Sequence, residues 1–287
     1  MKCAMTLPPD SKPDDHDAED EVEASRAPLM DHLLELRTRI IWALVAIAIA
    51  FAICFAFALP IYDLLLKPFS VAAELVSNQT GTTIVPRLIF TGPMEFFFVK
   101  VKLALFGALI LAFPFIAFQV YRFVAPGLYR NEKGAFLPFM VASPALFVLG
   151  ASFVYFVMMP MVMRFSLMQE QAPDSARIAI ELLPRVSEYL SLITALILAF
   201  GFSFQLPVVL TLMGRVGLVS AAGLRKGRKF AIVGILAFAA FFTPPDVISQ
   251  VILGIPVLLL YEISIFSVAL IERKRDEEDE EDEEDEV

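Results

Sequence analysis

The chain has 287 residues, 58% of them hydrophobic, and a formal net charge of −9. Ordinary globular domains are about 45–50% apolar, so this composition excludes a typical soluble domain and indicates a membrane protein. The acidic excess belongs to the ends of the chain, because residues 29–275 contain 13 acidic and 20 basic side chains. This charge pattern gives no reason to expect a nucleic acid partner.

Both ends of the chain are predicted to be disordered. Residues 1–28 carry eight acidic side chains, and residues 276–287 carry eleven. Like charges in such runs repel one another, and neither end has enough apolar residues to form a core. We therefore expect one membrane domain, residues 29–275, between two disordered acidic tails.

Between the tails, uncharged apolar runs predict an all-α integral membrane protein with six transmembrane helices. An amphipathic segment, Leu29–Arg39, precedes the first span, and a polar loop, Ile61–Pro93, is expected to follow it. The predicted spans are Ile40–Leu59, Met94–Val120, Ala135–Met163, Tyr189–Met213, Phe230–Phe242 and Val247–Ile271. The third span has 29 uncharged residues and three prolines, so we expect it to tilt, bend or protrude.

The last two predicted spans are short. Phe230–Phe242 has 13 residues, which gives about 20 Å of helix against a hydrocarbon core of about 30 Å. Val247–Tyr261 has 15 uncharged residues before Glu262, and the apolar pattern then resumes. The pair either spans a thin membrane or forms a re-entrant hairpin. In both cases Thr243–Asp246 lies at a turn, because its two prolines cannot continue a helix, and Asp246 could cap the final helix.

The distribution of basic residues predicts the orientation. Six spans place both termini on the same side of the membrane. The segments on that side contain 13 basic side chains, against seven on the other side. Because basic residues are enriched in cytoplasmic loops, both termini are predicted to be cytoplasmic.

The sequence lacks the motifs of several enzyme classes. It has no GxxxxGKS/T phosphate loop, no HExxH zinc motif and no GxSxG nucleophile motif. Its only histidines are His16 and His32, so we expect no metal site, no cofactor and no enzymatic activity. A secondary transporter for a small solute is an alternative, although we find no inverted repeat and no charged residues that would bind a solute at the midplane.

Two carboxylates flank the first two spans on the predicted cytoplasmic face. Glu35 could simply pair with Arg39 one helical turn later, and Glu132 could balance basic neighbours in its loop. Together, however, two carboxylates form a natural receptor for guanidinium groups, which bind carboxylates in bidentate geometry. Phe123 could add a cation–π or apolar contact nearby.

Gln205 is the one strongly polar side chain well inside the fourth predicted span. It either makes a hydrogen bond to another helix of this chain or contacts a polar group on a partner's membrane helix. The residues alone favour neither interpretation.

Five segments, in this order and with six spans between them, resemble the motifs of the TatC family of the twin-arginine translocase. They are HLLELRTR at His32–Arg39, the stretch Phe113–Glu132 with FVAPGLY inside it, Tyr189–Pro207 ending in FGFSFQLP, Leu224–Arg228, and TPPDVISQ at Thr243–Gln250.

The resemblance covers nearly all of the chain except its tails. It implies a glove-shaped, all-helical fold in a bacterial inner membrane, with two short helices at the end. It also implies a receptor for the twin-arginine signal peptides of folded precursors. Such a receptor works with single-span TatA/TatB-type subunits, forms a homo-oligomer in the receptor complex and uses the proton-motive force.

By motif position, the resemblance implies that Glu35 and Glu132 bind the arginines of the signal peptide, with Phe123 nearby. Many family members carry Glu where this chain has Gln205. Gln keeps the hydrogen-bonding capacity but has no titratable proton, so a role in proton transfer is not expected at this position.

The resemblance implies two further kinds of site. Gln205 and Thr243 become docking points for partner helices. Pro68, in the predicted first outer loop, and Asp246 become functionally sensitive loop positions.

Overall fold

The structure, a computed structural model, describes residues 15–81, 84–124, 137–169, 182–242 and 247–285. Within these ranges the chain is all-helical, and the only β-type pairing is an isolated bridge between Ile89 and Arg185. The helices are α1 Asp15–Ala56, α2 Ala58–Thr80, α3 Glu95–Val124, α4 Leu137–Phe153, α5 Met159–Leu167, α6 Val186–Ser203, α7 Leu206–Arg215, α8 Ala221–Phe242 and α9 Val247–Asp285. A π-helical turn at Val154–Met158 joins α4 to α5.

Five helical segments of the described chain are long and apolar enough to cross a membrane. They are Leu33–Ala56, Glu95–Phe123, Phe139–Leu167, Val186–Arg215 and Gln250–Lys274. Each overlaps one predicted span, so five of the six spans lie where the sequence predicts them.

The last two helices differ from the prediction. Gln250–Lys274 has 25 residues, so the prediction that the last span is short is wrong. The remaining predicted span, Phe230–Phe242, is the second half of α8 and is not among the five. The first half of α8 carries four basic residues, so its uncharged apolar run is limited to the 13 residues of Phe230–Phe242.

The prediction of a polar loop at Ile61–Pro93 is wrong for most of its length, because this segment folds into α2. The buried residues Leu65, Phe69 and Val76 recur at helical spacing along one face. The polar residues of α2 lie between them on the exposed face, and they conceal the helical period in the sequence. Pro68 therefore lies inside a helix and is buried, not in a loop.

The end of α2 follows a common pattern. Gly81 has a φ of +69° and donates its backbone N–H to the Ser77 carbonyl at 3.0 Å. Glycine adopts this left-handed conformation without the steric cost that a Cβ atom brings.

Prolines explain the two irregularities inside the spans. The π-helical turn Val154–Met158 ends two residues before Pro160, which has no N–H to donate to the carbonyl four residues earlier. Phe204 and Gln205 separate α6 from α7, and Pro207 lies in the first turn of α7. The regular α-helix of the third span is therefore interrupted next to one of its prolines, and that this span tilts, bends or protrudes stays a prediction.

Both terminal helices extend into the acidic segments for which the sequence predicts disorder, because α1 begins at Asp15 and α9 ends at Asp285. Two local effects favour the continuation of α9. Glu has a high helix propensity, and Arg273 pairs with Glu277 one turn later, with Nε 3.1 Å from Oε1.

Three helix pairs pack antiparallel, namely α1 with α3, α4 with α6, and α8 with α9. Helix α1 lies mainly on α3, and only 11% of its apolar span is buried within the chain. Helices α4 and α6 approach closely, because a Cβ atom on Gly201 would lie 2.5 Å from the Phe147 ring. Small residues at helix contacts are the usual means of tight packing in lipid, where the hydrophobic effect does not drive helices together.

Candidate functional site

Helices α1 and α3 bring three polar side chains together at one end of the bundle. Arg39 donates from Nε to Glu35 Oε1 at 3.1 Å, and its Nη2 contacts the same oxygen. Its Nη1 donates to Gln119 Oε1 at 3.3 Å. The Arg39 side chain is only 14% exposed, whereas that of Glu35 is 36% exposed. The pairing of Glu35 with Arg39 is thus confirmed, and Gln119 holds the arginine from the neighbouring helix.

Phe123 lies at the same level as Glu35. Arg39 meets Gln119 near one end of the pair, and Ala50 packs against Ala108 and Ala112 farther along, so the two helices run antiparallel. One turn back from Arg39 is Glu35, and one turn on from Gln119 is the half-buried Phe123. Both steps go toward the same end of the bundle.

The second predicted carboxylate, Glu132, lies outside the described residues, as do Thr243 and Asp246. Thr243 and Asp246 are predicted to lie at a turn. The helix before them, α8, ends at Phe242, and the helix after them, α9, begins at Val247.

Gln205 forms a two-way contact with α4. Ser143 Oγ donates to Gln205 Oε1 at 2.6 Å, and Gln205 Nε2 donates to the Ser143 carbonyl at 2.9 Å. Ser143 is 3% exposed, and the Tyr121 hydroxyl of α3 also hydrogen-bonds with its side chain. The hydrogen bond between helices that we considered for Gln205 is therefore confirmed. The sequence offers no signal for Ser143 as its partner.

Pro68 leaves a carbonyl in α2 without its usual donor. In a regular helix the N–H of residue 68 would bond to the Leu64 carbonyl, and proline has no N–H. The Tyr155 hydroxyl donates to that carbonyl at 2.8 Å instead. The Tyr189 hydroxyl donates to the next carbonyl, of Leu65, at 2.8 Å. Two tyrosines from other spans thus bind α2 at its proline. Sequence reasoning missed both of these contacts.

Glu262 has a partner that sequence reasoning missed as well. Arg228 Nη2 lies 2.7 Å from Glu262 Oε2, and both side chains are about half exposed. Among the described residues no group of three or more His, Cys, Asp or Glu side chains is placed to hold a metal ion.

Comparison with known proteins gives consistent matches. The family model described as "Sec-independent protein translocase protein (TatC)" matches residues 31–256. A curated TatC of Magnetococcus marinus is 41% identical over 253 residues, which cover 88% of this chain and 88% of the relative. TatC of Escherichia coli K12 is 37% identical over 240 residues, covering 83% of this chain and 87% of the relative.

Solved structures agree with these relatives. A crystal structure described as that of the twin-arginine translocase receptor TatC superposes with a TM-score of 0.71 at 36% identity, covering 84% of this chain and 99% of the other. The matches are protein translocase components, so the small-solute permease is not favoured. The chain belongs to the TatC family of Sec-independent protein translocase proteins.

Proposed function

We propose that this chain binds twin-arginine signal peptides through the carboxylates of Glu35 and Glu132 and so acts as the receptor subunit for folded precursors. The observation that carries the proposal is the contact between Glu35 and Arg39. The Glu35 carboxylate is partly exposed and already binds one guanidinium group of this chain, which is the chemical group that a signal-peptide arginine presents.

The Glu35 side chain is 36% exposed, which supports binding of a second guanidinium there. Nε and Nη2 of Arg39 both contact the oxygen Oε1. An incoming arginine binds the partly exposed carboxylate beside Arg39, or it takes the place of Arg39, which then keeps its bond to Gln119. Arginine serves better than lysine here, because its planar fork can bond to both carboxylate oxygens.

Phe123 and Glu132 complete the proposed site from α3 and the segment after it. Phe123 lies at the level of Glu35, so its ring can stack on a bound guanidinium or on an apolar side chain of the signal peptide. Glu132 follows Val124, the last residue of α3, by only eight positions, and this short separation in sequence supports its share in the same site.

We further propose that partner helices dock at Gln205 and Thr243. The Gln205 amide keeps one hydrogen and one carbonyl lone pair beyond its bonds to Ser143. These can bond to a polar group on a single-span TatA/TatB-type subunit. Pro68 and Asp246 are proposed as functionally sensitive positions, Pro68 through its effect on the shape of α2.

The remaining proposals concern the whole complex. The chain is placed in the bacterial inner membrane with both termini cytoplasmic, on the basis of its basic loops. It assembles as a homo-oligomer with its single-span partners, and the proton-motive force drives export of folded proteins.

Photocrosslinking of a twin-arginine precursor to the full chain in membranes tests the signal site. Glu35→Gln and Glu132→Gln are each expected to lower precursor binding by about 10- to 100-fold, the value of a hydrogen bond to a charged group. Replacing both signal arginines by lysine should produce a similar loss. Glu74→Gln, on the exposed face of α2, is the matched control and should bind normally.

Undiminished precursor binding in both site variants would contradict the assignment of the two carboxylates to the signal-peptide site. Uptake of a small solute by the purified chain in liposomes, without partner subunits, would favour the permease instead.

A further inference from the structure

Helices α6, α7, α8 and α9 enclose an apolar groove of about 770 Å³. One wall runs from Ala195 to Leu210 along α6 and α7, and the other runs from Ala231 to Phe238 on α8. Small side chains line part of both walls. A Cβ atom added to Gly234 would meet nothing within 4 Å, so the space beside α8 is open.

The groove offers hydrocarbon contacts only. Ser203 and Tyr261 are the polar side chains among its lining residues. The Ser203 hydroxyl donates to the Ala199 carbonyl at 2.8 Å, and the Tyr261 hydroxyl donates to the Leu224 carbonyl at 2.8 Å. Since both hydroxyl protons are used within the chain, a polar solute would find no ready donor here.

One end of the groove opens beside a cluster of positive charge. Tyr261 lines the groove and contacts Leu224, so this end lies next to the first half of α8. The first half of α8 carries four exposed basic residues. They precede Ala231, the first α8 residue that lines the groove, by two to six positions, or about 3–9 Å along the helix axis. They are Arg225, Lys226, Arg228 and Lys229.

Nearby carboxylates neutralise only part of this charge. Glu262 pairs with Arg228 at 2.7 Å, and Glu272 accepts a hydrogen bond from the Ala221 backbone N–H at 3.0 Å. Among the described side chains, two carboxylates against four bases leave positive charge at the mouth of an apolar groove.

We propose that this groove binds an anionic phospholipid, with an acyl chain between α6 and α8 and the phosphate on the bases at the start of α8. Basic pockets between transmembrane helices are the usual sites for acidic headgroups. Charge complementarity decides the occupant, because a neutral partner helix would gain nothing from the basic end. In the proposed orientation the lipid comes from the cytoplasmic leaflet, and its binding does not depend on the signal-peptide site.

Native mass spectrometry of the purified full chain, titrated with phosphatidylglycerol or phosphatidylcholine, tests the proposal. The wild-type chain should bind phosphatidylglycerol more tightly. Replacing Arg225 and Lys226 together by Gln should weaken phosphatidylglycerol binding by about 30-fold, since each base near the membrane surface contributes about fivefold. The paired control, Lys67→Gln with Arg87→Gln, removes the same charge from exposed positions elsewhere and should change nothing.

A second variant tests the apolar part of the site. Gly234→Leu should fill the groove and abolish tight binding of phosphatidylglycerol. Its control is Val233→Leu at the neighbouring, 67% exposed position, which does not line the groove. Equal affinity for both lipids, or unchanged binding in either site variant, would overturn the proposal. So would a photocrosslinker at position 234 that captures a protein helix rather than lipid in membranes containing the complete translocase.

Discussion

At the scale of single residues, the contact between Gln205 and Ser143 depends on an amide. The Gln205 oxygen accepts from the Ser143 hydroxyl, and its nitrogen donates to the Ser143 carbonyl. An ionised carboxylate could make only the first of these bonds and would place an oxygen against the carbonyl. Glutamine has the length of glutamate, satisfies both the hydroxyl and the carbonyl of Ser143, and has no titratable proton.

Gln205→Glu is accordingly expected to destabilise the chain at neutral pH by about 1–3 kcal/mol, the cost of leaving a buried polar group unsatisfied. A protonated carboxyl can donate to the Ser143 carbonyl, so the deficit should shrink as the pH is lowered. Thermal unfolding of the purified chain in detergent at two pH values measures both effects. Gln205→Leu is the control, and its deficit should not depend on pH. A Glu variant with wild-type stability at neutral pH would refute this account.

At the scale of elements, α2 shows how a proline is accommodated inside a helix. Pro68 deprives the Leu64 carbonyl of its donor, and the Tyr155 hydroxyl replaces it at 2.8 Å. Tyr189 bonds in the same way to Leu65. Side chains from two spans thus help to determine the position of α2 on the bundle.

A double-mutant cycle between Pro68 and Tyr155 tests this explanation. Tyr155→Phe should cost about 1 kcal/mol of stability. The cost should fall in a Pro68→Ala background, because the Ala N–H can then bond to the Leu64 carbonyl. Tyr189→Phe is the control, since its target carbonyl has the same backbone donor in both backgrounds. Equal costs of Tyr155→Phe in the two backgrounds would show that the hydroxyl does not replace the missing donor.

At the scale of the whole molecule, the contacts of α8 bear on the number of membrane crossings. The Ala221 N–H bonds to Glu272, and a Cβ atom on Gly214 would touch Val268. The end of α7, the start of α8 and the last part of the α9 span therefore lie at one level. The α9 segment is long and apolar enough to cross the membrane, and if it crosses to reach that level, we expect α8 to return across the membrane first. Its 22 residues give about 33 Å of helix, long enough if the bases extend to the interface.

Six membrane crossings are therefore expected, and the side of the membrane on which each terminus lies tests this number. With α8 crossing, the two termini lie on the same side, whereas five crossings would place them on opposite sides. Reporter fusions at both termini should therefore give the same cytoplasmic signal. Fusions after Gly217 and Gly81 serve as internal controls, with cytoplasmic and periplasmic signals expected. Opposite signals from the two termini would mean that α8 does not cross.

The sequence by itself determined the features that depend on neighbours along the chain. Uncharged runs located five candidate spans, and helical spacing identified the pairing of Glu35 with Arg39. The period of α2 was also in the sequence, but polar residues on its exposed face obscured it. Each of these is a local pattern that burial or charge imposes on a few consecutive turns.

Only the tertiary structure decided which distant groups meet. Gln119 binds Arg39 across 80 positions, Ser143 binds Gln205 across 62, and Tyr155 reaches Leu64 across 91. The physical reason is that a hydrogen-bonding group shows in a sequence only its chemistry. Its partner is set by which helix faces pack together, and in lipid that choice depends on close-fitting shapes and on the need to satisfy every buried polar group.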